Sequence, residues 1–120
     1  MVRPRTRSEL LELHARARAE VAREYRGPLT LAGVARALSS SPRRLQRAYA
    51  LAGETFAEDL RARRLGSAAE ILAQQPGIPV ASVARLTGYG TMGGFTRAFE
   101  RRFARAPERF RRDSCNRNSG

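Results

Sequence analysis

The sequence contains no lysine and no tryptophan, one histidine and one cysteine. The single cysteine, Cys115, excludes a disulfide within the chain and any metal site built from a cysteine cluster. No apolar run approaches the roughly 18 to 20 residues that a membrane span needs. No apolar segment of signal-peptide length follows the charged N-terminus. We therefore expect a cytoplasmic protein with no membrane partner, no metal and no cofactor.

Because lysine is missing, all 23 basic residues are arginine, and they outweigh the 11 acidic residues to give a formal net charge of +12. An excess of this size indicates a polyanionic partner, which is DNA, RNA or an acidic membrane face. The planar guanidinium fits both phosphate and the edge of guanine. A GC-rich genome would also replace lysine by arginine, so the choice of arginine alone does not identify the partner.

Glycine and proline divide the chain into short helical segments, and no stretch alternates as a strand does. The spacing predicts a first helix from about Glu9 to Arg26, with Thr6 and Glu9 as a capping box. Further helices are predicted from Leu31 to Leu38, from Pro42 after a cap at Ser41, from Phe56 to Gln74, from about Val80, around Phe95 and after Pro107.

One pattern occurs twice. Val80, Val83, Ala84 and Thr87 match Leu31, Val34, Ala35 and Leu38, and Phe95, Arg97, Ala98 and Phe99 match Leu45, Arg47, Ala48 and Tyr49 after a turn that is one residue longer. The repeated unit is helix, tight turn, helix, in which the second helix protrudes and suits the major groove. The sequence therefore predicts an all-α protein with two helix-turn-helix lobes joined by one long helix.

Helical geometry selects candidate base contacts. If Leu45 and Phe95 point inward, the outward positions are Arg43, Gln46 and Arg47 in the first copy and Gly93, Thr96 and Arg97 in the second, with Met92 at the edge. Arginine bonds guanine and glutamine bonds adenine, each with two hydrogen bonds. Gly93 has no side chain, so we expect the first copy to carry most of the sequence discrimination. A solvated arginine-rich face is the alternative explanation.

Other arginines are candidates for phosphate contacts, which fix the register of a protein on DNA without recognising bases. They are Arg44, Arg61, Arg63, Arg64, Arg101 and Arg102. A contribution to solubility is the alternative for any one of them. Arginines also cluster near the end of the chain, where a phosphate contact or a contribution to solubility is again the choice for each. They are Arg109, Arg111 and Arg112.

From about Leu10 to Arg112 the chain resembles the AraC/XylS-type DNA-binding domain. The resemblance is carried by Leu31, Val34-Ala35, Leu45-Gln46-Arg47, Arg64-Leu65, Val83-Ala84, Thr87-Gly88-Tyr89, Phe95-Thr96-Arg97-Ala98-Phe99, Arg102-Phe103, Ala106-Pro107 and Phe110-Arg111. It implies about seven helices, two lobes of three helices, and two recognition helices in successive major-groove segments of double-stranded DNA. Arg43, Gln46, Arg47, Met92, Gly93 and Arg97 fall where the family contacts bases.

The expected organisation is a lobe over 1–54, a connecting helix over 55–75, a second lobe over 76–112 and a disordered tail over 113–120. Three positions depart from the family pattern. Ala104 stands where glycine is usual, Pro79 removes a capping side chain, and Asp59 replaces a common aromatic residue. These departures put the geometry of the second lobe in question.

The resemblance predicts a bacterial, nucleoid-associated transcription regulator that is not an enzyme, with RNA polymerase as a further candidate partner. It is expected to act as a monomer, either alone or as a domain of a longer regulator. An architectural DNA-binding protein with no sequence preference is the alternative function. Catalysis would require an activated cysteine, and Cys115 has no histidine near it in sequence. The aromatic motifs of RNA-binding sheets are missing too.

Overall fold

The computed structural model describes residues 4–118, and within that range the chain is helical without β-strands. The helices are α1 (Pro4–Glu24), α2 (Leu31–Ala37), α3 (Pro42–Leu51), α4 (Phe56–Gln74), α5 (Val80–Leu86), α6 (Met92–Phe103) and α7 (Pro107–Asn118). The predicted all-α class and the expected number of helices are confirmed.

The chain divides into two compact units, unit 1 (Met1–Arg63) and unit 2 (Arg64–Gly120). The boundary falls inside α4, the helix predicted to connect the lobes. Phe56 at the beginning of α4 packs against the core of unit 1, whereas Leu65 and Leu72 lie in the core of unit 2. The long helix is therefore a structural part of both units.

Unit 1 is built around α1, α2 and α3. Its buried core contains Leu10, Leu13, Ala17, Val34, Ala35, Leu45, Ala48 and Tyr49. The residues from α1 recur at intervals of three and four, which places them on one face of the helix. The small side chains of Ala17, Ala35 and Ala48 are wholly or almost wholly buried, which lets the three helices approach closely.

Unit 2 buries Leu65, Ala68, Leu72, Val83, Ala84, Phe95 and Phe99. An aromatic cluster attaches α7 to α6, because the Phe110 ring lies 5.3 Å from the rings of both Phe99 and Phe103. Edge-to-face and tilted arrangements at this separation stabilise aromatic pairs beyond the area they bury.

Side-chain caps explain where several helices begin. Thr30, Ser41 and Thr91 each accept a hydrogen bond from a backbone N–H in the first turn of α2, α3 and α6, at 3.0–3.1 Å. Thr55 and Glu58 form a capping box at the start of α4, with reciprocal bonds of 3.0 and 3.1 Å. Pro79 makes no capping bond at α5, as its ring predicts.

The predicted start of α1 is wrong. The helix begins at Pro4, so Thr6 lies inside it and cannot form a capping box with Glu9. Proline is favoured in a first helical turn, and the Arg5 guanidinium pairs with Glu9 one turn later at 3.4 Å. Both features support a helix that starts earlier than the spacing of Thr6 and Glu9 suggests.

The predicted disordered tail is wrong for residues 113 to 118, because α7 continues to Asn118. The Arg105 guanidinium donates a 2.7 Å hydrogen bond to the Asp113 carboxylate, and Phe110 anchors the preceding turn in the aromatic cluster. The polar composition of residues 113–118 gave no indication of either contact. Residues 119 and 120 of the predicted tail lie outside the described residues.

The turn after Phe103 has left-handed backbone geometry. Ala104 adopts φ 59° and ψ 23°, and its N–H bonds the carbonyl of Glu100. This is the helix-ending conformation in which glycine is usual. Ala104 therefore adopts the same turn as glycine would, although its Cβ then lies too close to the following carbonyl oxygen.

Candidate nucleic-acid interface

In unit 1, α2 and α3 form a helix-turn-helix through the segment 38–41, where Ser39 adopts a left-handed φ of 56°. The inner face of α3 is buried at Leu45, Ala48 and Tyr49. Arg43, Gln46 and Arg47 are all exposed, as the helical geometry predicts, and α3 contains no acidic residue. The free face of α3 therefore presents two guanidinium groups and one amide to solvent.

Arg44, a predicted phosphate contact, lies on the first turn of α3 and pairs with an acidic residue of α1. Its guanidinium is 3.4 Å from the Glu9 carboxylate, and both side chains remain nearly half exposed. Glu9 also pairs with Arg5. Binding of Arg44 to a phosphate would have to compete with Glu9, which local sequence patterns could not reveal because the two residues are 35 positions apart.

In unit 2, α5 and α6 form the second helix-turn-helix through the segment 87–91, one residue longer than its counterpart. Gly88 supplies a positive φ, at 96°. Thr87 is fully buried and its hydroxyl donates a 2.8 Å hydrogen bond to the Val83 carbonyl. Since Phe95 and Phe99 hold the inner face of α6, the opposite face is left open to solvent.

The open face of α6 carries the second set of predicted base contacts. Met92, Gly93 and Arg97 are exposed, and Thr96 is partly buried. Met92 is one of the large apolar side chains that stay exposed, at 43%. The Arg97 guanidinium folds back over Gly93: a Cβ built on that glycine would lie 3.4 Å from Nη1 and 3.7 Å from Nη2.

The remaining predicted phosphate contacts differ in their surroundings. Arg61 and Arg63 of unit 1 and Arg101 and Arg102 of unit 2 are exposed. Arg64 is partly buried, and burial lowers its pKa below the ordinary arginine value, a shift that Tyr89 opposes. The guanidinium stays charged at neutral pH because arginine titrates so high.

Arg111 bonds the end of α4. Its guanidinium donates to the carbonyls of Leu72 and Gln75 at 3.4 and 3.5 Å. The last carbonyls of a helix have no partner within the helix and attract cations. Arg111 thus contributes to the stability of unit 2. This structural role explains one of the arginines that cluster near the end of the chain.

A buried polar cluster lies beneath α3 in unit 1. The Tyr49 hydroxyl donates a 2.7 Å hydrogen bond to Asp59, and the Arg18 guanidinium lies 3.7 Å from the same carboxylate. His14 packs edge-on against the Tyr49 ring and bonds Glu54 at 2.6 Å. Burial, and then the hydrogen bond to Asp59, raise the pKa of Tyr49 well above its ordinary value.

Asp59 fits this cluster although it replaces a common aromatic residue. A buried carboxylate requires a donor and a cation, and Tyr49 and Arg18 supply them. His14 is a packed residue, held between the Tyr49 ring and the Glu54 carboxylate. Among the residues that the structure describes, no group of His, Cys, Asp and Glu side chains could hold a metal ion.

Two helix-turn-helix units, each with an open second helix, define a tandem helix-turn-helix protein. A family model described as a helix-turn-helix domain matches residues 34–113, two thirds of the chain. The chain belongs to this AraC-type helix-turn-helix family, and its function is sequence-specific DNA binding in transcription regulation. Domains of this family are typically non-enzymatic.

Solved structures similar to this chain include the C-terminal domain of AraT, a response regulator from Geobacillus stearothermophilus, at 31% identity and a TM-score of 0.80, with 84% of each chain covered. A DNA-binding transcriptional dual regulator from Escherichia coli K-12 is 20% identical with a TM-score of 0.81, over 87% of this chain and 93% of that one.

The C-terminal domain of the two-component response regulator yesN from Fusobacterium nucleatum subsp. nucleatum is 19% identical with a TM-score of 0.73, over 87% of this chain and 96% of that one. The second and third of these similarities concern the fold. A search of curated protein sequences finds no significant match. None of the helices within residues 4–118 combines the length and apolar character that crossing a membrane requires.

Proposed function

We propose that the chain regulates transcription by inserting α3 and α6 into two successive major-groove segments of one DNA duplex. The observation that supports this most directly is the asymmetry of α3, which buries Leu45, Ala48 and Tyr49 and leaves Arg43, Gln46 and Arg47 exposed. The repetition of the helix-turn-helix in unit 2 supports a second contact. Successive major-groove segments on one face of B-DNA are about 34 Å apart.

The chemistry of α3 makes unit 1 the main determinant of sequence preference. Arg43 and Arg47 are placed to bond guanine, and Gln46 is placed to bond adenine, each contact contributing roughly 1–3 kcal/mol of discrimination. In unit 2, Met92 offers an apolar contact and Thr96 a hydroxyl, while Arg97 is the one guanidinium among the proposed base contacts of α6.

Phosphate contacts by Arg44, Arg61, Arg63, Arg64, Arg101 and Arg102 complete the proposed interface. Each contact releases a counterion, so the logarithm of the binding constant should fall with the logarithm of salt concentration by about 0.9 per contact. The chain is proposed to act as a monomer in the bacterial cytoplasm, on nucleoid DNA and with RNA polymerase as a further partner. No catalytic step is part of the proposed function.

Selection of binding sites from random duplex DNA tests the proposal. We expect a motif in two parts whose centres are about one helical turn, roughly 10.5 base pairs, apart. Gln46→Ala and Arg47→Ala should each relax the preference at particular bases of one part. Arg23→Ala is a matched control, because it also removes a charge, but from a side chain paired with Glu20 and Glu24 on α1.

A selection that recovers no preferred sequence would contradict the proposal and favour an architectural DNA-binding protein. Equal losses at every base in the Gln46 and Arg47 variants would contradict their assigned roles. A single compact motif with no second part would contradict the use of both units on one duplex.

A further inference from the structure

The second recognition helix carries an arrangement that the first one lacks. On α6, the Arg97 guanidinium lies over Gly93, within 3.4–3.8 Å of the point where a Cβ would sit. The two residues are one turn apart and therefore share a face of the helix. A long helical side chain points back towards the N-terminus of its helix, which carries the Arg97 head group to the first turn of α6.

The space that this guanidinium occupies exists because residue 93 has no side chain. A Cβ at 3.4 Å from Nη1 would just reach contact, whereas the further carbons of a longer side chain would enter the volume of the guanidinium. Gly93 is exposed, so the helix surface at this point is open to a ligand. An arginine that rests on a flat surface also loses less conformational freedom when it binds than one extended into solvent.

We propose that Gly93 positions Arg97. The missing side chain at Gly93 lets the guanidinium rest on the first turn of α6, where it bonds a single guanine, and Arg97 is the principal base contact of unit 2. This inference rests on the proposed function, and it assigns Gly93 a positioning role instead of a base contact of its own. In helix-turn-helix proteins the N-terminal residues of the recognition helix contact base edges. The guanidinium over Gly93 lies at that end of α6.

The test compares variants at position 93 on the selected binding site, with each base pair substituted in turn. Gly93→Leu displaces the guanidinium but suits a helix, since leucine favours helices more than glycine does. Gly93→Ala leaves the guanidinium within ordinary contact. Gly66→Leu is a matched control, because Gly66 is an exposed glycine of α4 with nothing within 4 Å of its Cβ position. Arg97→Ala and the double variant Gly93→Leu/Arg97→Ala complete the set.

We expect the unmodified protein to prefer guanine at one base pair of the unit 2 part of the site by roughly 5- to 150-fold. Gly93→Leu should reduce that preference to within about 2-fold, because the Arg97 contact supplies all of the discrimination at this base pair and is lost. The base preferences in the part of the site that unit 1 binds should stay intact. Gly93→Ala and Gly66→Leu should retain it. The double variant should resemble Arg97→Ala, because both changes act on the same contact.

Retention of the guanine preference in Gly93→Leu would overturn the inference, as would an equal loss of preference in both parts of the site. Additive losses in the double variant would overturn it too. Thermal unfolding of each variant separates these outcomes from misfolding, because Gly93→Leu should unfold at or above the temperature of the unmodified protein. Failure of the proposed function looks different, since the unmodified protein would then select no motif at all.

Discussion

Tyr49 and Asp59 are both buried in unit 1 and joined by a hydrogen bond of 2.7 Å from the phenol to the carboxylate. Tyr49 belongs to the recognition helix α3 and Asp59 to the beginning of α4. The bond therefore links the helix that presents Gln46 and Arg47 to the element that follows it. Arg18 of α1 lies 3.7 Å from the other oxygen of the same carboxylate, so three helices meet at one polar group.

Removal of the Tyr49 hydroxyl should destabilise the protein. In Tyr49→Phe the Asp59 carboxylate loses its phenol donor and keeps the more distant Arg18, and a buried acceptor that loses its donor costs about 1–3 kcal/mol. Urea denaturation monitored by circular dichroism measures this loss. Tyr25→Phe is the matched control, since it also removes a tyrosine hydroxyl, one whose hydrogen bond from Arg26 is exposed. Equal stability of the two variants would show that the buried bond contributes nothing.

The raised pKa of Tyr49 predicts a pH dependence of stability. Below the ordinary tyrosine pKa of about 10 the phenol is protonated in both the folded and the unfolded state. Above it the unfolded state releases the proton while the folded state keeps it, so stability falls by up to about 1.4 kcal/mol per pH unit. Denaturation between pH 9 and about pH 11.5 should show a steeper loss for the unmodified protein than for Tyr49→Phe. Parallel curves would contradict the shift.

Ala104→Gly should stabilise the protein. The left-handed φ of 59° at this position costs an L-residue with a Cβ roughly 1–2 kcal/mol, and glycine avoids most of that cost. The gain is reduced because glycine has more freedom in the unfolded chain. Ala62→Gly, in an exposed interior position of α4, should instead destabilise by about 0.8–1.0 kcal/mol. Opposite signs for the two substitutions in thermal unfolding are the expected result, and a loss of stability in both would contradict the conformation of Ala104.

Glu9 should weaken DNA binding by holding Arg44. An exposed ion pair contributes about 0.2–1 kcal/mol, so Glu9→Gln should tighten binding by roughly 1.5- to 5-fold at low salt. The gain should vanish in the Arg44→Ala background, and Arg44→Ala alone should reduce the salt slope by about 0.9. Titrations of fluorescent duplex at several salt concentrations measure both effects. A gain from Glu9→Gln that persists without Arg44 would show that Glu9 acts only through the net charge.

Local chemistry accounts for the parts of the fold that the sequence predicts. Proline, glycine and capping side chains determine helix ends within a few residues, which is why the predicted bounds of α4 and the predicted cap at Ser41 agree with the structure. The spacing of Leu45 and Tyr49 likewise predicts which face of α3 is exposed. These features depend on residues close together in the chain.

Contacts between distant residues could not be predicted in this way. His14 and Glu54 are 40 positions apart, and Arg105 stabilises α7 through Asp113 in a segment whose composition suggests disorder. The place of the Arg97 guanidinium over Gly93 also depends on side-chain conformation, which helical periodicity leaves open. Asp59 shows the same limit, because its departure from the family pattern becomes intelligible only with Tyr49 beside it.

The most direct test of the account changes the spacing inside the selected binding site. Insertion of 5 base pairs between its two parts rotates one part by about half a helical turn. If α3 and α6 of one chain occupy successive major-groove segments, this insertion should lower the affinity to that of a site with only one part. An affinity that is unchanged by the insertion would contradict simultaneous binding by the two units.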